Sequence, residues 1–293
     1  GIDGVFLQRF ASGLKGASSI EHKNRVLGHV REGANRSGRA FAVMYDLSGL
    51  NADDTELVQR DWREIQTRSK VTDDKAYLHH EGKPVVAIWG IGFSDNRKYT
   101  LEYCHRLVSW FKSQGCTVMI GVPSYWRTLQ RDAVDDARLH EIIQLADIVS
   151  PWSVGRYQSP SQAARHAENV WAQDQAWCQQ HHQDFLPVVF PGFSWHNLKG
   201  DPLGAIPRRK GEFLWSQIVA AKRMSSEMIY VAMFDEVDEA TAIFKCTDQP
   251  PVGKDVQFLD YEGLPSDYYL RLVGEAGKLL RDEIPLSSPL LQP

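Results

Sequence analysis

Short apolar runs rich in β-branched residues alternate along the chain with longer stretches in which apolar positions recur near helical spacing. The short runs are DGVFLQ from Asp3, AFAVMYD from Ala40, PVVAIWG from Pro84, TVMIGVP from Thr117, DIVSPW from Asp147, PVVFPGF from Pro187 and MIYVAMF from Met228. The longer stretches begin at Thr55, Tyr99, Leu139, Ser161 and Phe213. Alternation of this kind predicts repeated β-α units on a parallel sheet. No Pro-, Gly- or Ser-rich linker parts the chain, so the pattern predicts one domain over residues 1–293.

Two architectures accept the pattern: an open doubly wound sheet and a (β/α)8 TIM-type barrel. Doubly wound nucleotide binders carry a Gly-rich turn after the first strand, and neither GxGxxG nor GxxxxGK[ST] occurs in this chain. The barrel is favoured. Seven predicted strands, in a chain that opens directly on GIDGVFLQRF, lead to the expectation that the first barrel strand lies in a preceding segment.

Composition narrows the function classes. With 43% hydrophobic and 24% charged residues the chain suits a large α/β domain. A net charge of -4 and a pI near 6.2 give no electrostatic reason to expect a nucleic-acid or anionic-membrane partner. The sequence lacks an apolar run of the roughly eighteen residues that a membrane helix needs and opens on no signal peptide. Cys104, Cys116, Cys178 and Cys246 are widely spaced and are expected to be free thiols. His79 and His80 are adjacent and lack metal-ligand spacing, so neither a metal nor a cofactor is expected.

Candidate chemistry gathers at the strand ends. In a barrel the active site is built at the C-terminal ends of the strands from several loops. The last strand runs into FDEVDEAT, where Asp235, Glu236, Asp238 and Glu239 crowd into five residues before the chain turns apolar again. Glu236 and Glu239 are three apart, and one turn of looped or helical backbone would bring them to about 5–6 Å at Cβ. That spacing suits a cooperating carboxylate pair of the kind that flanks a scissile glycosidic bond. A solvated acidic rim is the plainer reading. Tyr45 and Asp46 follow another strand, although Asp46 before LSG also reads as a turn residue. Tyr125, Trp126, Trp152 and Trp195 are either sugar platforms or fillers beneath loops. Arg156, Arg208, Arg209, His196 and Asp235 complete the list of polar groups that could meet sugar hydroxyls.

At these residues the chain resembles the glycoside hydrolase family 99 endo-α-mannosidases, within the broader 71/99-like group. The family's last barrel strand carries Phe/Tyr-Asn-Glu-Trp-x-Glu-Gly-Thr, and FDEVDEAT places Glu236 and Glu239 on its two glutamates. PGFSWHN, IPRRKGEFLWSQ and GVPSYWR resemble further segments of the family, so the likeness runs from the second predicted strand to the last. Asp235 stands in place of Asn, Val237 of Trp and Ala240 of Gly.

The resemblance implies a retaining, endo-acting glycosidase of α-manno-configured oligo- or polysaccharides in an extracellular, periplasmic or secretory-pathway setting. It implies that Glu236 deprotonates the sugar 2-hydroxyl, whose oxygen attacks C1 to form a 1,2-anhydro sugar. Glu239 would be the acid for the leaving group and then the base for water. The alternatives are a non-catalytic carbohydrate-binding or scaffold barrel, and a glycosidase of a different α-linked glycan.

Overall fold

AFAVMYD forms a strand in which every residue from Phe41 to Asp46 is buried, as a central strand of a covered parallel sheet requires. In this computed structural model, residues 1–54, 56–286 and 290 are described. Contacts divide the chain into two compact units, one comprising Asp3–Pro151 and Cys178–Asp184, the other Gly1–Ile2, Trp152–Trp177 and Phe185–Pro293.

The first of these units carries strands β1 (Gly4–Phe10), β2 (Ala40–Asp46), β3 (His79–His80), β4 (Lys83–Trp89) and β5 (Thr117–Pro123). β1 pairs with β2, β2 with β4 and β4 with β5, all in parallel. The sheet continues through β6 (Ile148–Trp152) to β7 (Asp184–Phe185), and β3 joins β4 as a short antiparallel partner. Helices α1 (Ala17–Ser37), α2 (Leu57–Ser69), α3 (Leu101–Ser113) and α4 (Arg138–Leu145) fall between the successive parallel strands, giving the β-α repeat predicted from the sequence. Thr55, where the first predicted helical stretch begins, lies outside the described residues.

The strand register explains which side chains face the helices. Tyr45 meets Trp62 of α2 and Phe111 of α3 at centroid distances of 6.4 and 6.0 Å, and those two rings meet edge to face at 5.4 Å. Side chains alternate across a strand, so the neighbouring Asp46 projects from the other face. Arg9 forms a buried bidentate pair with Asp61, and Asp61 also accepts the Tyr45 hydroxyl at 2.7 Å. A Cβ at Gly121 would lie 2.3 Å from Cδ1 of Trp89, so glycine there admits the indole of the adjacent strand.

In the other unit, α5 (Pro160–His166) passes through a π-helical turn at Ala167–Trp171 into α6 (Ala172–Gln180). β8 (Val188–Val189) pairs in parallel with β9 (Tyr230–Val231), and α7 (His196–Lys199), α8 (Glu212–Arg223) and α9 (Tyr268–Leu280) follow the strands. Gln217 of α8 is fully buried with its amide satisfied. Its Oε1 accepts the Tyr157 hydroxyl and the Phe190 N–H, and its Nε2 donates to the Phe190 and Phe213 carbonyls. This ties the chain leaving β8 to helix α8, as a buried amide demands.

Cys104, Cys116 and Cys178 are buried and Cys246 is half-buried, each outside any disulfide. Among the described residues no helix is long and apolar enough to cross a membrane.

Candidate active site

β8 and β9 run parallel, with Val188 opposite Tyr230 and Val189 opposite Val231, so the loops that follow them leave at one edge. The loop after β9 holds the acids. It folds back on itself: the Phe234 carbonyl accepts the N–H groups of Ile243 and Phe244, and the Glu236 carbonyl accepts those of Thr241 and Ala242. Ala240 closes the turn with φ at 56°, a left-handed conformation that favours glycine. The family motif has glycine at this position.

Within the loop the four acids separate by exposure. Asp235 and Asp238 are exposed, whereas Glu236 and Glu239 are half-buried. Burial, helped by the negative charges of Glu239, Asp238 and Asp235, raises the pKa of Glu236 above the usual glutamate value. The loop after β8 supplies Glu239 with partners. The Ser194 N–H donates to the Glu239 carbonyl at 2.8 Å, and the Trp195 indole N–H donates to Oε1 at 3.0 Å.

Arg208 grips the same loop from below. It is 4% exposed, and Nη2 donates to the carbonyls of Ala240 at 2.9 Å and Ala242 at 2.6 Å. Its guanidinium lies over the rings of Tyr261 and Tyr269, at 4.8 and 4.6 Å from their centroids. The Tyr261 hydroxyl lies 3.2 Å from the Ala242 carbonyl and 2.6 Å from that of Phe244. Arg208 is thus a support for the acidic loop rather than a group presented to solvent, while its neighbour Arg209 is exposed.

The remaining predicted residues of this unit are spread around the loops. Trp152, at the end of β6, is half-buried with its ring 6.4 Å from Tyr230, and Arg156 is exposed in the turn that follows. His196 opens α7, and its Nδ1 lies 2.8 Å from the carbonyl oxygen of Asp201, so Nδ1 carries the proton.

In the other unit a polar cluster marks the strand ends. Asp46 is 3% exposed; Oδ1 accepts the Ser48 N–H at 2.7 Å and Oδ2 accepts the Gln8 amide at 2.5 Å. Burial nevertheless raises its pKa above the usual carboxylate range. Arg97 lies over the rings of Trp89, Phe93 and Tyr99, donates to Ser48 Oγ at 3.1 Å, and borders a cavity of about 340 Å³ between the Gly90–Leu101 segment and Val134–Asp135.

Three candidate residues of this unit have these surroundings. Tyr45 belongs to the layer between sheet and helices, bonded to Asp61, because its register turns it away from the face that Asp46 shares. Trp126 is wholly buried against His140 of α4, the filler and not the platform. Tyr125 is partly open, but Arg131 covers its ring at 4.3 Å and bonds its hydroxyl at 2.6 Å. Tyr261 and Tyr269 were not legible beforehand, since nothing in a local motif brings Arg208 over rings distant in sequence; Arg97 over Trp89, Phe93 and Tyr99 and Lys199 over Trp195 are local pairs that the sequence reading did not single out.

Among the described residues no group of three or more His, Cys, Asp or Glu is arranged to hold a metal ion. His80 instead pairs with Asp184 at 2.7 Å, and His79 lies 3.0 Å from the Tyr77 carbonyl.

No family profile and no curated protein matches the chain. Solved structures match it by fold. A GH99 endo-α-mannosidase from Bacteroides thetaiotaomicron superposes with a TM-score of 0.68 at 16% identity, over 96% of this chain and 75% of that one. A GH99 endo-α-mannosidase from the same organism in complex with bis-tris propane gives 0.70 at 16% identity, over 96% and 80%. A glycoside hydrolase-like protein gives 0.62 at 14% identity, over 94% and 81%. The chain therefore shares the fold of these glycoside hydrolase structures, as the parallel β-α repeat and the FDEVDEAT segment led one to expect.

Proposed function

We propose that this chain is a retaining, endo-acting glycosidase of α-manno-configured oligo- or polysaccharides, built on a (β/α)8-type barrel domain over residues 1–293 and using Glu236 and Glu239. The observation that carries the reading is the sorting of the acids after β9. Two glutamates three residues apart are half-buried on one loop, while the aspartates beside them are exposed. A solvated rim has no reason to bury two of four neighbouring carboxyl groups, because burial without pairing is costly.

The roles are those that the resemblance to the family 99 endo-α-mannosidases implies, and chemistry gives them a rationale. In an α-mannoside the 2-hydroxyl is trans to the leaving group, so its oxygen has a rear approach to C1. Glu236 takes the hydroxyl proton, O2 bonds to C1, the bond from C1 to the leaving oxygen breaks, and Glu239 gives its proton to that oxygen. Water then loses a proton to Glu239 and attacks C1; O2 leaves C1 and recovers its proton from Glu236. The configuration at C1 is retained after two inversions. A raised pKa makes Glu236 a stronger base toward a weakly acidic hydroxyl, which suits this role.

Asp235, Val237 and Ala240 depart from the family pattern, and Val237 and Phe234 are each 39% exposed beside Glu236. These differences favour, as the second reading, a barrel that cleaves another α-linked glycan or binds one without turnover. Release of reducing ends from α-mannans and other α-linked glycans separates the readings. Turnover on mannan, lost by roughly 10²–10⁴-fold in Glu239→Gln, supports the proposal. Binding without turnover on any of them contradicts it.

A further inference from the structure

We infer that Trp195 positions Glu239 instead of carrying a sugar ring: its indole N–H dictates which carboxyl oxygen of Glu239 holds the acidic proton, and Lys199 occupies its face. The inference rests on the catalytic reading of Glu239.

The indole nitrogen is only a donor. Trp195 Nε1 lies 3.0 Å from Oε1 of Glu239, so Oε1 accepts, and in the neutral form the bond favours Oε1 as the carbonyl oxygen, the stronger acceptor of the two. The proton that Glu239 gives to a leaving group therefore resides on Oε2. The other end of Glu239 is fixed as well, since its carbonyl accepts the Ser194 N–H at 2.8 Å. Both donors belong to adjacent residues of one loop, so side chain and backbone are held by a single rigid piece.

The ring is itself pinned. Nζ of Lys199 lies 3.3 Å from the Trp195 ring centroid, and the Phe193 ring approaches at 5.2 Å. Lys199 and Trp195 bracket α7, and the Lys199 N–H donates to the Trp195 carbonyl at 2.8 Å, which brings the ammonium back over the indole. A platform for a pyranose needs an open face, and Lys199 covers one. A cation over the ring also draws density from it, which strengthens the N–H as a donor.

The chemical consequence concerns position. The Trp195 N–H holds Oε1 of Glu239 and leaves Oε2 for proton transfer, so one rotamer of the carboxyl group is selected before a substrate arrives.

The test is the carbon NMR signal of the Glu239 carboxyl group at fixed pH in the full chain, for the native protein, Trp195→Phe and Lys199→Met, beside kcat and KM on an α-mannan. Phenylalanine keeps a ring and removes the donor. The Glu239 signal shifts in Trp195→Phe and shifts less in Lys199→Met, because the bond to Oε1 is lost in the first and weakened in the second. In Trp195→Phe kcat falls by roughly tenfold while KM changes by less than about threefold. An unmoved Glu239 signal overturns the inference, as does a roughly tenfold rise in KM with kcat unmoved, the behaviour of a sugar platform. If Trp195→Phe fails to fold, an unmoved signal in Lys199→Met overturns it equally. A signal that shifts in a protein that cleaves no glycan leaves the positioning role standing and sinks the catalytic reading alone.

Discussion

Nη2 of Arg208 lies 2.6 Å from the carbonyl oxygen of Ala242, and the same nitrogen reaches the carbonyl of Ala240. A single buried cation thereby closes the far side of the loop that presents Glu236 and Glu239. Gly192 makes room for its stem, because a Cβ there would lie 2.7 Å from Arg208 Cγ and 2.9 Å from the Ile206 carbonyl.

Arg208→Ala removes two hydrogen bonds from a charged donor and its stacking on two tyrosines, with an expected cost of roughly 2–4 kcal/mol. Arg208→Lys recovers less than half, because a point charge cannot reproduce the planar fork. Urea unfolding measures both. A variant as stable as the native protein would show that Arg208 does not hold the loop.

Tyr45→Phe removes only the bond from the hydroxyl to Asp61 and leaves the ring against Trp62 and Phe111. The expected loss of stability is about 1 kcal/mol with kcat and KM unchanged. A change in KM without a change in stability would return Tyr45 to the sugar site.

Ala240→Gly relieves a left-handed alanine at the turn after Glu239. The strain of such a residue, roughly 1–2 kcal/mol, exceeds the entropic cost of glycine, about 0.5–1 kcal/mol. The variant gains on the order of 0.5 kcal/mol by the same two estimates and keeps its activity. A lower melting temperature for the glycine variant contradicts the assigned conformation.

The fold was largely written in the hydrophobic pattern, and its exceptions have physical causes. All seven runs chosen for β-branched content contain observed strands, because consecutive buried positions leave little choice of structure. The 21-residue helix α1 escaped notice: only Leu27 and Ala34 are buried, and its thin stripe of Ile20, Leu27, Val30 and Ala34 is interrupted by charged and polar residues. α9 follows a long irregular stretch and was missed as well, although Tyr268, Tyr269, Leu272, Val273, Ala276 and Leu279 make a clear buried face. At the candidate site, the i,i+3 glutamates were legible from spacing. The roles of Trp195 and Arg208 were not, because both depend on loops that parallel pairing of β8 and β9 brings to one edge.

Glu236 gives a pH signature of its own. Its folded-state pKa is raised by burial and by Glu239, Asp238 and Asp235, so the folded chain holds the proton more tightly than the unfolded chain. Below the unfolded value of about 4.3 both states are protonated and there is no penalty. As pH rises through that value and then through the folded pKa, ionisation favours unfolding, and the penalty levels off above it. Glu236→Gln should therefore match the native melting temperature in acid and exceed it at neutral pH. A constant difference at all pH values would show that the carboxyl group does not titrate in this way.

The central claim is that the carboxylate pair works through the sugar's own 2-hydroxyl, and proton NMR of the first-formed product tests it most directly. With an α-mannoside the account predicts that the product appears first as the α anomer, and that the 2-deoxy analogue binds without turning over, since the attacking oxygen is gone. A product that appears first as the β anomer, or brisk hydrolysis of the 2-deoxy analogue, would contradict it.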